Sequence, residues 1–533
     1  MHNPHHPLWD LPEFVFHFSS FLDNGQLAAA SAVSKSWNAA FSPFLYADIV
    51  YYRSGGWFYP TDEAIQAHAL HVRSIRFSEG PTEKFPWTSL KHLQKLTINP
   101  GLDENWDQLP DFITQNSQLQ IVGMNMIHNP ILTLETMKAL SQCQHLRTLT
   151  LRLAQMDNSI AEQFLDLCTR LEMLKLYVQD ARDADPSGKL ASFPSAKTLW
   201  FEVHQGMTLV NQLDIIQRFP KLDSLYWKFG NDSIRTQDAD EMPSECRLSA
   251  KEIHLFGYHW SGSNRSVDVH MAKIIDGCQH VRSFNAICLN IGPLAFKSLK
   301  QRFDSFTQLW FDGCITMTSG MVQEILTSCP HLIRLKAAPL DVRDILGNIK
   351  GEQEEIMFHP QEWVCLKLTS FEVPIYGLDG KPAKWQRRVL QQLAKLERLE
   401  HLEIGVCDDD GSIHEYHSDG LDLRLESGLE ILGSLKQLES ISIEGLYQKM
   451  EEVDIRWITQ NFPRLKRIYG ETNVDLNICL KTDAILKESG VKLFYKKDPE
   501  DDRDNYDDIN YDSDDNEYRM YHIYDRGTGY ITE

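Results

Sequence analysis

Apolar residues recur along most of the chain in one short phrase, L-x-x-L-x-L, with other apolar residues replacing some leucines. Clear copies are Leu146-x-x-Leu149-x-Leu151, Leu171-x-x-Leu174-x-Leu176, Leu399-x-x-Leu402-x-Ile404 and Leu438-x-x-Ile441-x-Ile443. Looser copies begin at Val72, Leu93, Leu119, Ala196, Leu222, Ala250, Val281, Phe306, Leu332, Leu368 and Leu465. Together they make about fifteen units with a mean step of about 28 residues, the mark of a repeat architecture. Alternation at the last two apolar positions predicts a short strand with one buried face. Between phrases lie stretches with helical spacing, as at Glu162, Phe164, Leu165 and Leu167, or Met321, Val322, Ile325 and Leu326. One strand and one helix per unit predicts parallel pairing of successive strands, each unit burying its apolar side on its neighbours.

Several units open with Cys or Phe before the first apolar position: Cys143-Gln-His-Leu146, Cys278-Gln-His-Val281, Cys329-Pro-His-Leu332, Phe219-Pro-Lys-Leu222 and Phe462-Pro-Arg-Leu465. The fullest copy runs from Leu309 and Phe311 through Cys314-Ile315-Thr316 and Met321 to Leu326, then Cys329-Pro330. This resembles the cysteine-containing subclass of leucine-rich repeats. The resemblance implies one thiol buried at the strand end and a second closing the helix. None of the 10 cysteines forms a C-x-x-C pair, so reduced, buried thiols are expected rather than disulfides or a zinc site. They read as small apolar filler at repeat corners.

Residues 8–48 follow another pattern. Asp10 precedes Leu11-Pro12-Glu13, a good helix start, and Phe14, Phe16, Phe18, Phe21 and Leu22 are too many apolar groups for one face of a lone helix. A turn at Asp23-Asn24-Gly25 leads to Leu27, Ala28, Ala29, Ala30, Ala32 and Val33. Ser34 then caps a third helix with Trp37, Ala40 and Phe41, ending at Ser42-Pro43. Three short helices in about 40 residues sit near the lower limit for an independent core. An apolar face therefore remains, either for a partner or for the first repeats.

Leu11-Pro12-Glu13, Leu22, Leu27, Ala30, Val33-Ser34-Lys35-x-Trp37 and Phe44-Leu45-Tyr46 follow the F-box pattern in order and spacing. With the repeats, the chain resembles the F-box and leucine-rich-repeat proteins of fungal type. It departs in carrying Phe14, Phe16 and Phe18 where the family more often has Leu or Ile. The resemblance implies an α/β protein: a three-helix F-box, then a leucine-rich-repeat solenoid with parallel strands on the concave face and helices outside. It implies a substrate-recognition subunit of an SCF-type cullin ubiquitin ligase, the F-box docking on a Skp-type adaptor and through it on a cullin. Leu11, Pro12, Leu22, Leu27, Val33, Trp37 and Leu45 would then be apolar adaptor contacts, with Glu13 and Lys35 at the polar rim. A protein substrate held by the repeats would gain proximity to the ubiquitin donor, with no chemistry done by this chain. Two other readings stay open, an F-box scaffold outside ubiquitination and a regulatory interaction protein built on the repeats alone.

Residues flanking the last two apolar positions of each phrase fall on the concave side. One row reads Thr150, Lys175, Trp200, Tyr226, His254, Asn285, Trp310 and Lys336; the next reads Arg152, Tyr177, Glu202, Lys228, Phe256, Ile287, Asp312 and Ala338. Tyr177, Trp200, Tyr226 and Phe256 therefore cluster on neighbouring strands with Trp310 nearby, a candidate substrate patch of exposed aromatics. The alternatives are that a loop, a neighbouring repeat or the C-terminal tail covers them, or that the strand register is off by one. Long excursions at 341–363 and 408–425 read as tolerated insertions.

Composition bounds the rest. The 533 residues are 42% hydrophobic and 24% charged, enough for a sizeable core. Net charge is −22, from 53 Lys+Arg against 75 Asp+Glu, which argues against general nucleic-acid binding. Residues 498–517 hold about eleven acids and one Arg, a net of about −10. Residues 498–533 are read as a disordered acidic tail and 1–7 as a disordered start. Residues 49–70 are read as a linker or first cap, and 71–497 as the repeat domain. No apolar run reaches the roughly 18 residues that cross a bilayer, and no signal peptide is read at the start, so no membrane partner and an intracellular site, cytoplasm or nucleus, are expected. His414-Glu415-Tyr416-His417 places its histidines three apart instead of the four of H-E-x-x-H, and reads as a solvated loop. His2, His5 and His6 read as a loose terminus. No cofactor, metal or catalytic residue is expected.

Overall fold

The computed structural model describes residues 12–52, 59–99, 106–126, 130–181, 192–229, 247–257, 265–347, 361–405 and 420–494. The chain forms two compact units, residues 1–373 and 374–533. Leu11, the histidines at 2, 5 and 6, the His414–His417 stretch and the acidic tail lie outside the described residues.

The first unit opens with three helices, α1 (Pro12–Ser19), α2 (Asn24–Val33) and α3 (Lys35–Leu45). Their boundaries are set by side chains that satisfy otherwise orphaned backbone amides. Asp23 Oδ1 accepts from the Gln26 amide at 2.7 Å while Gln26 Oε1 accepts from the Asp23 amide at 3.1 Å, a reciprocal cap. Ser34 Oγ accepts from the Trp37 amide at 3.2 Å. Two boundaries differ from the sequence expectation. Asn24 and Gly25 lie inside α2, because Asp23 is the cap. Helix α3 runs through Pro43 to Leu45, closed by the Tyr46 amide on the Ser42 carbonyl at 3.0 Å. Phe44 and Leu45, packed on the helical core, hold the last turn despite the proline.

The repeats follow. Strands β1 (Asp48–Tyr51), β2 (Ser74–Phe77), β3 (Lys95–Ile98), β4 (Ile121–Met126), β5 (Thr148–Gln155) and β6 (Met173–Asp180) pair in parallel with their sequence neighbours. So do β7 (Thr198–Gln205), β8 (Ser224–Phe229), β9 (Glu252–Phe256), β10 (Ser283–Ile287), β11 (Gln308–Asp312) and β12 (Arg334–Lys336), ending on Ser370–Glu372. In the second unit, His401–Glu403, Ser440–Ser442, Arg467–Tyr469 and Lys492–Phe494 form the same kind of ladder. Helices such as Asn158–Cys168 and Ser319–Ser328 return the chain between strands. This is a mixed α/β leucine-rich-repeat solenoid.

Every phrase read from the sequence coincides with a strand. Among the described residues, two strands of the ladder have no phrase assigned to them. In β1 the phrase survives with aromatic substitutions, Tyr46-x-x-Ile49-x-Tyr51, and the Ala47 carbonyl accepts from the Arg73 and Ser74 amides at 2.9 Å each. Lys492–Phe494 lacks the leading apolar residue, Gly490 standing in its place, yet Leu493 keeps register with Ile468. Residues 49–70 thus contain a strand and the helix Asp62–Ala67. The excursion at 341–363 is packed at both ends. Asp341 caps the short helix Val342–Leu346, and buried Trp363 donates its Nε1–H to Gln323 Oε1 at 3.1 Å.

The core lies between strands and helices. Leu149, Leu174, Leu199, Leu225, Ile253, Phe284 and Leu309 form one fully buried row through the ladder. At the start of the solenoid, Tyr51, Phe77, Phe85, Trp87, Trp106 and Phe112 interlock, mostly edge to face, and all are buried. Buried thiols fill corners as expected. Cys314 Sγ lies 3.2 Å from the Ala286 carbonyl, and the Cys329 amide closes its helix on the Ile325 carbonyl at 2.9 Å. Burial pushes the Cys143 thiol up to about 11 and the Cys365 thiol up to about 12, so both stay protonated at neutral pH. All the described cysteines are free thiols.

Buried polar side chains lock one repeat to the next. Asn116, fully buried, accepts from the Leu93 amide at 3.0 Å and donates to the Leu90 and Phe112 carbonyls at 2.8 and 2.9 Å. Gln212 accepts the indole N–H of Trp227 from the next strand at 2.7 Å. Replacing Asn116 by Ala orphans three backbone groups inside the core. It is expected to lower stability by about 2–3 kcal/mol, read as a lower urea midpoint for the transition of the first unit.

Candidate functional site

Two surfaces carry the residues singled out from sequence. The first is the helical module. Val15, Leu27, Ala30 and Phe41 form its core, with Phe18, Leu22, Trp37, Ala40, Phe44 and Leu45 partly buried against it. Trp37 and Phe18 tilt onto Phe41 with ring centroids 5.5 and 6.2 Å away. Of the proposed adaptor contacts, Leu27 is therefore a core residue, while Leu22, Trp37 and Leu45 are half-buried. Glu13 and Lys35 are exposed, and Val33 is 63% exposed. Phe16 and Phe21 are 65% and 72% exposed. The sequence marks these two only as part of an apolar excess; the structure shows them on the outside of α1 and just beyond it. The module keeps an apolar surface in water, which a domain with so small a core cannot avoid.

The second surface is the sheet face turned away from the helices. Pairing puts Arg76, Thr97, Gly123, Thr150, Lys175, Trp200, Tyr226, His254, Asn285, Trp310 and Lys336 in one row. Arg152, Tyr177, Glu202, Lys228, Phe256, Ile287 and Asp312 form the next. The sequence-derived rows and their register thus hold, except that Ala338 falls beyond the end of β12.

Strand spacing stacks the planar groups. The Trp200 and Tyr226 rings lie 4.7 Å apart at 7°, and Tyr226 and His254 lie 4.1 Å apart at 6°. Phe256 stacks on Trp200 at 6.0 Å, and Tyr177 lies 6.2 Å from it. Cations complete the stack. Arg152 lies 5.1 Å from the Tyr177 centroid, Lys175 lies 5.5 Å from Trp200, and Lys336 lies 5.0 Å from Trp310. Tyr177, Tyr226, Phe256 and Trp310 are half-buried, but Trp200 is only 4% exposed. The expectation that Trp200 is an exposed contact is corrected here. Between Lys175 and Tyr226 its indole is part of the packing, leaving Tyr177, Tyr226, Phe256 and Trp310 as the accessible members of the predicted patch.

Polar pairs on this face were not legible as pairs. Glu202, buried, accepts from Lys228 Nζ at 3.0 Å and lies 2.8 Å from His204 Nε2. Burial works to raise the Glu202 carboxyl, but the His204 hydrogen bond and the Lys228 ammonium outweigh it and hold it below the usual range. The Asn285 amide faces His254 Nδ1 at 2.7 Å. Burial lowers the His254 imidazole to about 4, so it is neutral at pH 7.

No family model matches the chain, and no curated protein does. Among solved structures it is similar to TLR13 in a TLR13–ssRNA13 complex, over 84% of this chain and 68% of that one, at 11% identity and a TM-score of 0.38. The class, a leucine-rich-repeat solenoid with a helical module ahead of its first strand, rests on the parallel register itself. Among the described residues no helix is long and apolar enough to cross a membrane.

His254 gives this face a pH dependence of known sign. Its folded pKa is depressed, so the unfolded chain binds the proton first. The stability held above pH 6.5 falls as pH drops toward 4 and levels off below it. The loss is about 3 kcal/mol at most. Thermal melts between pH 7 and 4.5 are expected to show a smaller acid-induced drop for His254→Gln than for the parent chain.

Proposed function

We propose that this chain is a non-catalytic receptor subunit of a cullin-type ubiquitin ligase. Its helical module would dock on a Skp-type adaptor, and the outward sheet face of its repeats would hold a protein client. The observation that carries the reading is the apolar surface of the module. Val33, Phe16 and Phe21 stand in solvent, and Trp37 and Leu22 are only partly covered. Monomers seldom expose contiguous apolar surface without a partner for it. The Leu11-Pro12-Glu13 and Val33-Ser34-Lys35-x-Trp37 elements name the partner by resemblance to the F-box pattern. Leu11 lies outside the described residues, and Pro12 opens α1.

In this reading the protein supplies proximity. Binding client and adaptor on one body raises the effective concentration of client lysines at the ubiquitin donor. The repeats suit the first task because a rigid ladder presents a pre-formed surface, so little ordering entropy is lost on binding. The reacting groups belong to the other subunits.

Affinity capture of the full chain from cells, with proteasome inhibition, tests the reading directly. Adaptor and cullin together are expected; adaptor without cullin would favour the scaffold role, and neither would leave a repeat-based regulator. The double variant Val33→Glu, Lys35→Glu changes exposed positions only and is expected to fold. Burying the new carboxylates against an apolar partner should weaken adaptor capture about 100-fold. Undiminished capture would overturn the assignment of this surface.

A further inference from the structure

The outward face of β2 to β6 differs in charge from the rest of this acidic protein. The side chains there are Ser74 and Arg76, Lys95 and Thr97, Ile121, Gly123 and Asn125, Thr148, Thr150, Arg152 and Ala154, then Met173, Lys175, Tyr177 and Gln179. Four are basic and none is acidic, in a chain whose net charge is −22. Arg76 and Arg152 are exposed; Lys95 and Lys175 are half-buried.

The relief is equally uneven. In one row, Arg76 and Lys175 stand at the ends and Thr97, Gly123 and Thr150 lie between. The nearest atoms to a Cβ on Gly123 would be those of the Thr97 and Thr150 side chains, at 3.6 Å or more. The floor is therefore low and its rims are cationic. Four strand spacings span about 19 Å, the reach of about six extended residues. At the β6 rim the cations are held in place. The Arg152 guanidinium lies over the Tyr177 ring and the Lys175 ammonium over the Trp200 ring. A guanidinium resting on an aromatic face still offers its edge donors to a carboxylate, with less side-chain freedom left to lose.

We infer that this trough receives an extended, carboxylate-rich segment of a protein client, its acids paired with Arg76, Lys95, Arg152 and Lys175. The inference takes the outward sheet face as the client site, as the proposed function does, and adds the chemistry of the client. Charge complementarity selects this occupant. Four cations match three or four carboxylates, whereas duplex DNA presents a charge about every 1.7 Å and needs a longer basic track. At physiological salt the screening length is about 8 Å, so these local cations govern a short segment more than distant acids do.

The test is fluorescence anisotropy on the full chain. The probe is a fluorescein-labelled peptide alternating Glu and Gly, compared with its Gln–Gly counterpart and with a Ser–Gly peptide carrying one phosphoserine. The Glu peptide is expected to bind at least tenfold tighter than the Gln peptide, and to weaken as salt rises. Arg76→Glu with Arg152→Glu should reduce its affinity at least tenfold. Gly123→Phe, which fills the floor and leaves every charge, should reduce it at least fivefold. Circular dichroism confirms that each variant is folded. Equal binding of Glu and Gln peptides, affinities within twofold in both variants, or preference for the phosphoserine peptide would overturn the inference. Adaptor capture by the same variants separates the two ideas. Peptide binding lost with capture intact supports the trough; capture absent from the parent chain, with peptide binding retained, sinks the receptor reading and leaves the trough standing.

Discussion

Parallel backbone pairing, strand on strand and in register, is the constraint from which the rest of this structure follows. Each ladder strand of the first unit pairs with the next without a slip, so equivalent residues of successive repeats become neighbours about 4.8 Å apart. One parity of the ladder is filled by Leu, Ile and Phe against the helices. The other parity is then forced into rows, where residues some 25 positions apart in sequence touch. A one-residue slip in any strand would exchange the two faces and expose the core, which is why the register is so strongly specified.

The same spacing dictates the chemistry of the outward face. Flat side chains at adjacent row positions have little choice but to stack, as Trp200, Tyr226 and His254 do. A long cation beside a ring settles over it, as Arg152 does on Tyr177. Stacking also dries the row. His254 loses its proton affinity and Trp200 loses its exposure, so part of a surface that looks made for contact is in fact structural. What remains accessible is the half-buried aromatic flank and the cationic trough beside it.

The helical module obeys the opposite logic. Its core is four residues deep, too small to cover the aromatics it carries, and the solenoid has an aromatic cluster of its own over its first repeats. The chain passes from α3 into the first ladder strand within two residues, with the Ala47 carbonyl already in the ladder. The exposed Val33 and Phe16 are the consequence of placing a minimal helical unit ahead of a body that seals itself.

The repeat was legible in the sequence because apolar alternation is a local signal. Leu171, Leu174 and Leu176 announce their strand without reference to anything distant, and so do looser copies such as Ala250 and Phe306. The caps at Asp23 and Ser34 are local too, which is why the helix starts were readable while the end of α3, held by packing of Phe44 and Leu45, was not. Pairings between repeats are different in kind. That Glu202 meets Lys228 and His204, that His254 faces Asn285, and that Trp200 is closed in while Tyr226 is not, depend on side chains brought together only by the ladder. Sequence thus determined which residues share a row, since the period fixes that. The tertiary structure decided which of them remain open to a partner, since burial is a property of neighbours and not of spacing.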